Sequence, residues 1–238
     1  MDALMTAAAS GLRARLESLD LLANNIANQA TAGYKADREF YSLYESEQST
    51  FGGGGLSPVI QENWTDHSQG TLQRTGDPAH MALEGPGYFR VQGPSGELLT
   101  RSGAFRLSAG GRLVSPDGYP LLDAGGKPAE LDPREPFRIT AEGELQQRGR
   151  AAVKIGIAGV PDTAALKKHQ GTYFHAPEGA TAGRARVLQE HLEGANVSGP
   201  ESSIRLIEVL RQFESLQKAI HISGEMSKSA AEIARVGN

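Results

Sequence analysis

Histidine is the residue of this chain best suited to metal binding or proton transfer, and six histidines lie at positions 67, 80, 169, 175, 191 and 221. A zinc-binding helix carries two histidines four residues apart, usually as His-Glu-x-x-His, and no pair here has that spacing. Asp66 with His67, and Asp77 with His80, are the neighbours that could meet at a metal. We expect surface or packing roles for these histidines, so the sequence predicts no metal site.

The other side chains that carry chemistry lack the patterns that catalysis requires. No Gly-x-Ser-x-Gly elbow is present for a serine nucleophile, and the absence of cysteine excludes disulfides and thiolate metal sites. Gly125-Gly126-Lys127-Pro128 lacks the earlier glycine of a phosphate-binding loop and is typical of a β-turn. Acidic pairs such as Glu84 and Glu97 occur in any chain of this charge. The sequence therefore predicts neither an enzyme nor a cofactor.

Charge and hydropathy restrict the classes of partner. The 238 residues carry a net charge of −4, so we expect no general electrostatic attraction to nucleic acid or to an anionic membrane. No run approaches about twenty apolar residues, which predicts no membrane insertion. The first thirty residues lack the apolar core of a secretory signal, and we expect no cleaved signal peptide.

The elements that must position any functional residue begin with an N-terminal helix, which starts near Asp2. Its apolar residues alternate in steps of four and three, the heptad spacing of a helix that packs along a narrow stripe. These residues are Met5, Ala9, Leu12, Leu16, Leu19, Ala23 and Ile26. Asn24, Asn25 and Asn28 lie on or beside the stripe, and their short amides compete for backbone hydrogen bonds near the end of the helix. Gly33 then offers a left-handed exit.

A second heptad run lies at the other end of the chain. Its members are Leu206, Val209, Phe213, Leu216 and Ile220, followed by the small residues Ser223, Ser227, Ala230 and Ala234. Pro200 and Glu201 supply a start signal, and Gly237 closes the run. A helix of about thirty residues is roughly 45 Å long, which exceeds what a compact core accommodates. We therefore predict that the two long terminal helices pair with each other in a coiled-coil-like manner.

Turn residues predict β-structure between the two helices. Gly85-Pro86-Gly87 and the turns at residues 94–96, 109–111 and 116–118 separate short apolar runs about ten residues apart. The predicted fold class is therefore α+β, with paired N- and C-terminal long helices and a central antiparallel, mainly-β domain.

This pattern divides the chain into three parts. They are a terminal helical assembly domain (1–35 and 196–238), a connector (36–80) and a central β-domain (81–195). The four glycines at 52–55 predict flexibility within the connector. Trp64 is expected to be a buried anchor there.

Three stretches in this order resemble one family. Residues 23–35, ANNIANQATAGYK, look like the N-terminal signature of the bacterial flagellar rod and hook axial proteins, whose usual form is close to ANNLANxxTxGFK. Residues 192–197, LEGANV, are similar to that family's C-terminal signature, and residues 69–122 resemble its central module. Ile26 and Tyr34 are small departures from the usual Leu and Phe. Three motifs in the right order are more specific than any one of them.

The resemblance implies a structural subunit of the flagellar basal-body rod that polymerises through its terminal helices into the axial drive shaft. Its implied partners are copies of itself and other rod and hook axial proteins, together with the flagellar type III export apparatus. The resemblance also implies export to the basal body without a cleaved signal peptide. The short span before Gln69 lacks the longer insertion of the distal-rod member, which favours a proximal-rod member, with a distal-rod member as the alternative.

Two other functions stay open at this point. A non-polymerising adaptor or binding module of the same organelle would have a similar sequence, whereas a cell-wall-acting enzyme would need a paired-carboxylate or metal site. We predict an assembly interface and no catalytic, cofactor or metal site. The residues of this predicted interface are Leu12, Leu16, Leu19, Asn24, Asn25, Ile26, Asn28, Gly33, Asn196, Leu206, Val209, Phe213, Leu216 and Ile220.

Overall fold

The computed structural model describes residues 2–45, 56–177 and 179–236. Contacts group the chain into two compact units. The first unit consists of Met1–Ala27, Asp37–Trp64 and Ser198–Asn238, and the second consists of Asn28–Ala36 and Thr65–Val197. The predicted connector is thus shared between the units, and our three-part division of the chain stays a proposal. The four glycines at 52–55, and Gly237, lie outside the described residues.

The first unit contains two α-helices and a two-stranded sheet. Their bounds are α1 (Asp2–Ala27), α2 (Gly199–Val236), β1 (Asp37–Glu45) and β2 (Leu56–Thr65). Pro200 occupies the first turn of α2, where its missing N–H is not needed, and Glu201 places a negative charge at the positive end of the helix. Arg205 of α2 donates a hydrogen bond to Glu39 of β1 at 3.0 Å.

The face that α1 buries is different from the predicted stripe. Its buried positions are Gly11, Ala14, Ser18, Leu22 and Asn25. A Cβ atom at Gly11 would lie 3.7 Å from Cδ1 of Leu216, so the small residues of α1 let α2 approach closely. In the predicted stripe, by contrast, Leu16 is 46% exposed and Ala23 is exposed. Three further stripe residues are only partly buried: Leu12, Leu19 and Ile26.

The prediction of paired long terminal helices is therefore wrong. The N-terminal helix has 26 residues and the C-terminal helix has 38, so among the described residues α2 has no helix of its own length to pair with. Heptad spacing shows which side chains are apolar, but not whether they are covered by the same chain. Here Gly11 and Ala14 of α1 turn inward, whereas Leu16 turns outward.

The second unit is built from short antiparallel strands. They are β3 (Leu72–Arg74), β4 (Met81–Glu84), β5 (Tyr88–Gly93), β6 (Gly96–Thr100), β7 (Arg106–Leu107), β8 (Leu113–Val114), β9 (Phe137–Ile139), β10 (Glu144–Gln147), β11 (Val153–Lys154), β12 (Ile157–Gly159), β13 (Lys168–Gln170), β14 (Tyr173–His175), β15 (Thr181–Ala182), β16 (Arg186–Gln189) and β17 (His191–Glu193). The largest sheet has the order β13-β14-β6-β5-β12-β15, and β9, β10 and β11 form another. Two-stranded pairs join β3 to β17, β4 to β16 and β7 to β8. A 3₁₀ turn spans Thr163–Ala165.

The predicted turns fall between strands of this unit. Gly85-Pro86-Gly87 separates β4 from β5, and the turn at residues 94–96 leads into β6. Successive side chains of a strand point to opposite faces. Phe89 therefore enters the main core, with Met81 and Leu113, while Tyr88 joins a smaller apolar cluster.

The expectation that Trp64 is a buried anchor is wrong. The residue lies at the end of β2 and is 50% exposed. The guanidinium of Arg38 lies 6.0 Å from the centroid of its ring. A cation placed against an aromatic face in this way stabilises a tryptophan at the surface, so burial is not required.

Candidate assembly junction

The junction begins where α1 ends, at Ala27. Two successive turns follow, in which the backbone N–H of Thr31 donates to the carbonyl of Asn28 at 3.0 Å and that of Tyr34 donates to the carbonyl of Thr31 at 3.2 Å. The Thr31 hydroxyl also donates to the Asn28 side chain at 3.3 Å. The chain thus leaves the helix through hydrogen-bonded turns in which the Asn28 amide takes part.

Asn25 ties the end of α1 to the start of β1 within the first unit. Its side-chain amide donates to the carbonyl of Asp37 at 2.8 Å, and its side-chain oxygen accepts from the N–H of Asp37 at 3.0 Å. This reciprocal pair satisfies both backbone groups of Asp37 without adding charge. Asn25 is buried, whereas Asn24 is exposed, so the adjacent amides have different surroundings.

Gly33 has a backbone that a larger residue would not tolerate. Its φ is +69°, in the left-handed region that favours glycine. A Cβ atom at this position would overlap the backbone of Arg101 and Ser102. The N–H of Gly33 donates to the carbonyl of Glu193 at 2.7 Å, which joins the N-terminal signature to the C-terminal one.

A buried ion cluster lies directly after Gly33. The side chains of Lys35 and Glu193 are both fully buried, and Nζ of Lys35 lies 2.6 Å from Oε1 of Glu193. Nζ of Lys35 also donates to the carbonyl of Ser68 at 2.6 Å, and the N–H of Gly70 donates to Oε1 of Glu193 at 3.0 Å. Removing one member of such a buried pair costs about 3–5 kcal/mol because it strands the opposite charge.

Arg101 completes the cluster from the side of the β-sheet. Its Nη1 lies 3.2 Å from Oε2 of Glu193 and also donates to the carbonyl of Leu83, while Nη2 donates to the carbonyl of Gly85 at 2.7 Å. Its guanidinium lies 5.3 Å from the centroid of the Tyr88 ring. One carboxylate therefore contacts two buried cations, and backbone carbonyls accept further hydrogen bonds from both, while Nε of Arg101 has no partner among the described residues.

Asn196 bridges three parts of the second unit. Its side-chain oxygen accepts from the N–H of Ala36 at 2.8 Å, and its amide donates to the carbonyl of Asp66 at 2.7 Å. The N–H of Asp66 in turn donates to the carbonyl of Ala36 at 2.8 Å. The two signature segments and the start of the central region therefore meet at one point.

Burial controls the ionisation of the groups around this cluster. It lowers the pKa of Lys35, although the neighbouring charge of Glu193 opposes the shift. Burial, assisted by the charge of Lys35, lowers the pKa of His67 to about 4, and burial raises the pKa of Tyr88 to about 12. Nδ1 of His67 lies 2.8 Å from the Tyr88 hydroxyl. At neutral pH His67 and Tyr88 are therefore uncharged and act as packed polar groups.

The two Asp–His neighbours noted in the sequence do not converge on a metal. His67 contacts Tyr88, and His80 contacts Thr75 at 2.9 Å with Asp77 at 3.9 Å. Within the described ranges, no three histidine, aspartate or glutamate side chains come close enough together to hold a metal ion. In the same residues, no helix combines the length and apolarity needed to cross a membrane.

The predicted stripe of α2 lies on the less exposed side of that helix. Val209 is buried, and four further positions are partly buried: Leu206, Phe213, Leu216 and Ile220. The side chains of Met5, Ser227, Ala230 and Ala234 lie outside the described residues. The assignment of these stripes, and of Asn24, Asn25, Asn28, Gly33 and Asn196, to an assembly interface stays a prediction.

Sequence reasoning missed the three charged residues of the cluster. Lys35 and Glu193 stand inside the two signature segments, and Arg101 stands in the central module. For Lys35 and Glu193 a signal was available, because they carry opposite charges in two signature segments that are expected to meet. Arg101 gave no such signal, because an isolated arginine before a serine resembles any surface residue.

Comparison with known proteins finds family matches over three stretches that overlap those noted in the sequence. Residues 5–35 match the family described as flagella basal body rod protein. Residues 82–159 match the flagellar hook protein FlgE/F/G D1 domain, and residues 188–233 match the C-terminal region of flagellar basal body rod FlgEFG proteins.

Full-length relatives agree with these matches. The flagellar basal-body rod protein FlgF of Caulobacter vibrioides is 33% identical over 227 residues, which cover 90% of each chain. The rod protein FlgG of Agrobacterium fabrum is 31% identical over 251 residues, covering 92% of this chain and 95% of its own. The flagellar hook protein FlgE of Brucella abortus is 38% identical over 161 residues, 66% of this chain and 37% of its own. Because the likeness to rod proteins runs along nearly the whole chain, from the N-terminal helix to α2, the chain belongs to the flagellar basal-body rod protein family.

Proposed function

We propose that this chain is a structural subunit of the flagellar rod and that it contacts its neighbours through the exposed apolar faces of α1 and α2. Its full-length relatives are structural rod proteins and not enzymes. The buried ion cluster fits a structural role, since both of its cations contact the carboxylate of Glu193.

The observation that carries this proposal is the set of large apolar side chains left exposed on the helices. Ile204 is 60% exposed and Ile207 is 52% exposed, and Leu16 of α1 is exposed as well. Leu210, Ile222 and Met226 add to this surface on α2. Exposed groups of large apolar side chains commonly mark contact sites between proteins, so these faces favour contact with other subunits.

The partners and the location follow from the family. Rod and hook proteins assemble with copies of themselves and with other axial proteins at the flagellar basal body. We propose in addition that the chain reaches the rod through the flagellar type III export apparatus.

We also propose a position in the proximal rod, with the distal rod as the alternative. The alignment with FlgG of Agrobacterium fabrum runs over 251 residues, which is longer than this chain, so that relative carries residues with no counterpart here. The alignment with FlgF of Caulobacter vibrioides runs over 227 residues. The order in which tagged chain enters partially built basal bodies tests this assignment: entry only after the distal rod has formed would contradict it.

The contact surface is tested by protection of single thiols. Because the chain has no cysteine, Leu16→Cys or Ile207→Cys introduces one reactive group at a known place. We expect both thiols to react quickly with maleimide in the purified monomer and at least tenfold more slowly in isolated basal bodies. Basal bodies unfolded before labelling give the total thiol content as a control. Equal rates in monomer and basal body would mean that these faces are not subunit contacts.

The adaptor alternative makes the opposite prediction. A non-polymerising binding module would be recovered from cells outside the axial structure, and its thiols would stay reactive. Electron microscopy of basal bodies carrying a tagged copy separates the two, because only a rod subunit is found along the axis.

A further inference from the structure

Two exposed histidines meet at one edge of the largest sheet. β13 and β14 pair as neighbours there, and the register shifts between Lys168 and Gln170, which places His169 at an irregularity of the strand. Nδ1 of His169 lies 3.1 Å from Nε2 of His175. The ring centroids are 4.7 Å apart and the rings are inclined by 75°.

We propose that His169 and His175 together bind a divalent transition-metal ion, such as Cu²⁺ or Zn²⁺, through these two nitrogens. Imidazole nitrogens lie about 2.0–2.1 Å from such a metal. When two neighbouring ligands subtend the square-planar or the tetrahedral angle at the metal, or an angle between the two, their nitrogens lie about 2.9–3.4 Å apart. Their ring centroids then lie about 4.5–5.2 Å apart. The observed distances of 3.1 Å and 4.7 Å both fall within these ranges.

A simple hydrogen bond between the rings fits less well. A linear N–H···N bond of this length would place the ring centroids about 5.4 Å apart, because the nitrogens would then lie on the line between the rings. The shorter centroid distance of 4.7 Å means that the N···N direction is bent away from the ring axes, as it is when two nitrogens converge on one ion. That convergence is the arrangement in which both lone pairs reach a common ion.

The backbone around the pair fixes the strands that carry the two rings. The N–H of His175 donates to the carbonyl of Lys167 at 2.9 Å, and His175 is in register with Leu98 of β6 on its other side. The side chain of Lys168 is held elsewhere, since its Nζ donates to the carbonyl of Lys35 at 3.1 Å. A site on paired strands needs little rearrangement, which favours binding.

The chemistry of the pair limits the affinity and the choice of ion. No cluster of three metal-binding side chains is found among the described residues, so water supplies the remaining ligands at this exposed position. Neutral imidazoles prefer borderline ions, and Cu²⁺ binds such ligands more tightly than Zn²⁺. When bound, the ion joins β13 to β14 and stabilises the folded hairpin, because the unfolded chain does not hold the two rings together.

Titration calorimetry of the purified full chain with CuCl₂ and with ZnCl₂ tests the proposal. We expect one site per chain, an affinity for Cu²⁺ above that for Zn²⁺, and at least a tenfold loss of affinity in His169→Asn and in His175→Asn. His221→Asn, which removes an exposed histidine from α2, is the matched control and should bind as the unchanged chain does. Equal binding by all four proteins, or no binding by the unchanged chain at millimolar metal, would overturn the proposal.

A second measurement reads the ligands directly. Electron paramagnetic resonance of the Cu²⁺ complex should show two coordinated nitrogens in the unchanged chain and one in His175→Gln. The same spectrum for both would overturn the site even if calorimetry detected binding elsewhere, and circular dichroism of each variant checks that it is folded. This result is independent of assembly, since His169 and His175 belong to the second unit and the thiol-protection experiment probes the first.

Discussion

The two units of this chain differ in which energetically unfavourable side chains they contain. The second unit buries charged side chains, whereas the first leaves large apolar side chains exposed. The second unit encloses Lys35 and Glu193 completely and pairs them with each other. The first unit leaves Ile204 and Ile207 more than half exposed. We therefore expect the second unit to be stabilised by its own contacts, and the first to gain stability if other subunits cover its helices.

The largest expected effect comes from opening the ion cluster. Glu193→Leu strands Lys35 and Arg101 without a counter-charge, and we expect a loss of about 3–5 kcal/mol in the free energy of unfolding. Urea unfolding of the purified chain measures it. Glu190→Ala is the control, because its pair with Arg74 is exposed and worth less than about 1 kcal/mol. Equal losses in the two variants would show that the cluster does not stabilise the second unit.

A methyl group at Gly33 should produce the next largest effect. Gly33 and Gly76 have similar φ values, +69° and +77°, but a Cβ atom at Gly76 meets nothing within 4 Å. Gly76→Ala should therefore lose only the backbone preference, about 1 kcal/mol, while Gly33→Ala adds the overlap with Arg101 and Ser102 and should lose at least about 2 kcal/mol. The urea midpoints of unfolding compare Gly33→Ala with Gly76→Ala. Identical shifts would show that overlap with Arg101 and Ser102 adds no cost at Gly33.

The same position also bears on assembly. Gly33→Val should prevent incorporation of the chain into rods, whereas Gln29→Ala, in an exposed turn beside it, should be tolerated. Motility and the yield of basal bodies measure both. A motile Gly33→Val strain with normal rods would place the critical junction elsewhere.

A smaller effect is expected from acidification. Burial lowers the pKa of His67 to about 4, below its ordinary value of 6.5, so the unfolded chain takes up the proton first. The contribution of uncharged His67 to the free energy of unfolding is therefore complete above pH 6.5, and it is lost as the pH falls from 6.5 toward 4. After allowance for screening by solvent we expect a loss of about 1–2 kcal/mol from this group.

His67→Gln isolates this contribution. The glutamine keeps a polar partner for the Tyr88 hydroxyl but does not titrate. The free energy of unfolding, measured between pH 7 and pH 4.5, should fall by about 1–2 kcal/mol more in the unchanged chain than in the variant. Parallel pH curves would show that His67 is not the titrating group.

The smallest effect on stability should accompany a complete loss of assembly. Ile207→Asp changes an exposed position, so the free energy of unfolding should shift by less than about 0.5 kcal/mol. Its buried carboxylate in an assembled rod would be unpaired, and incorporation should fail. Gln146→Asp adds the same charge to an exposed strand of the second unit and serves as the control for basal-body yield. Normal rods with Ile207→Asp would show that the exposed apolar face at this residue is not a subunit contact.

The β-structure of the central region was predictable because its turns are encoded locally. Gly85-Pro86-Gly87 and the turns at residues 94–96 and 109–111 determine where strands end, and they fall between strands in the structure. The α2 stripe from Leu206 to Ile220 was predictable for a similar reason, since the regular spacing of large apolar residues matches its less exposed side.

The face of α1 and the ion cluster were not predictable in this way. The leucines of α1 gave the stronger periodic signal, but the helix buries Gly11 and Ala14, whose small size matters only once α2 lies against them. The pairing of Lys35 with Glu193 joins residues 158 positions apart, so only the expectation that the two signature segments meet could have indicated it. Contacts made in space, and not along the chain, decided both outcomes.

The hydrogen bonds of Asn196 have a mechanical consequence for a structural protein of the flagellar rod. The chain passes between the two units four times, after residues 27, 36, 64 and 197. On the side of the second unit, Asn196 and the bond from Asp66 to Ala36 tie three of these passages together. We therefore expect a load applied to any one of these three segments to be shared with the other two through these hydrogen bonds.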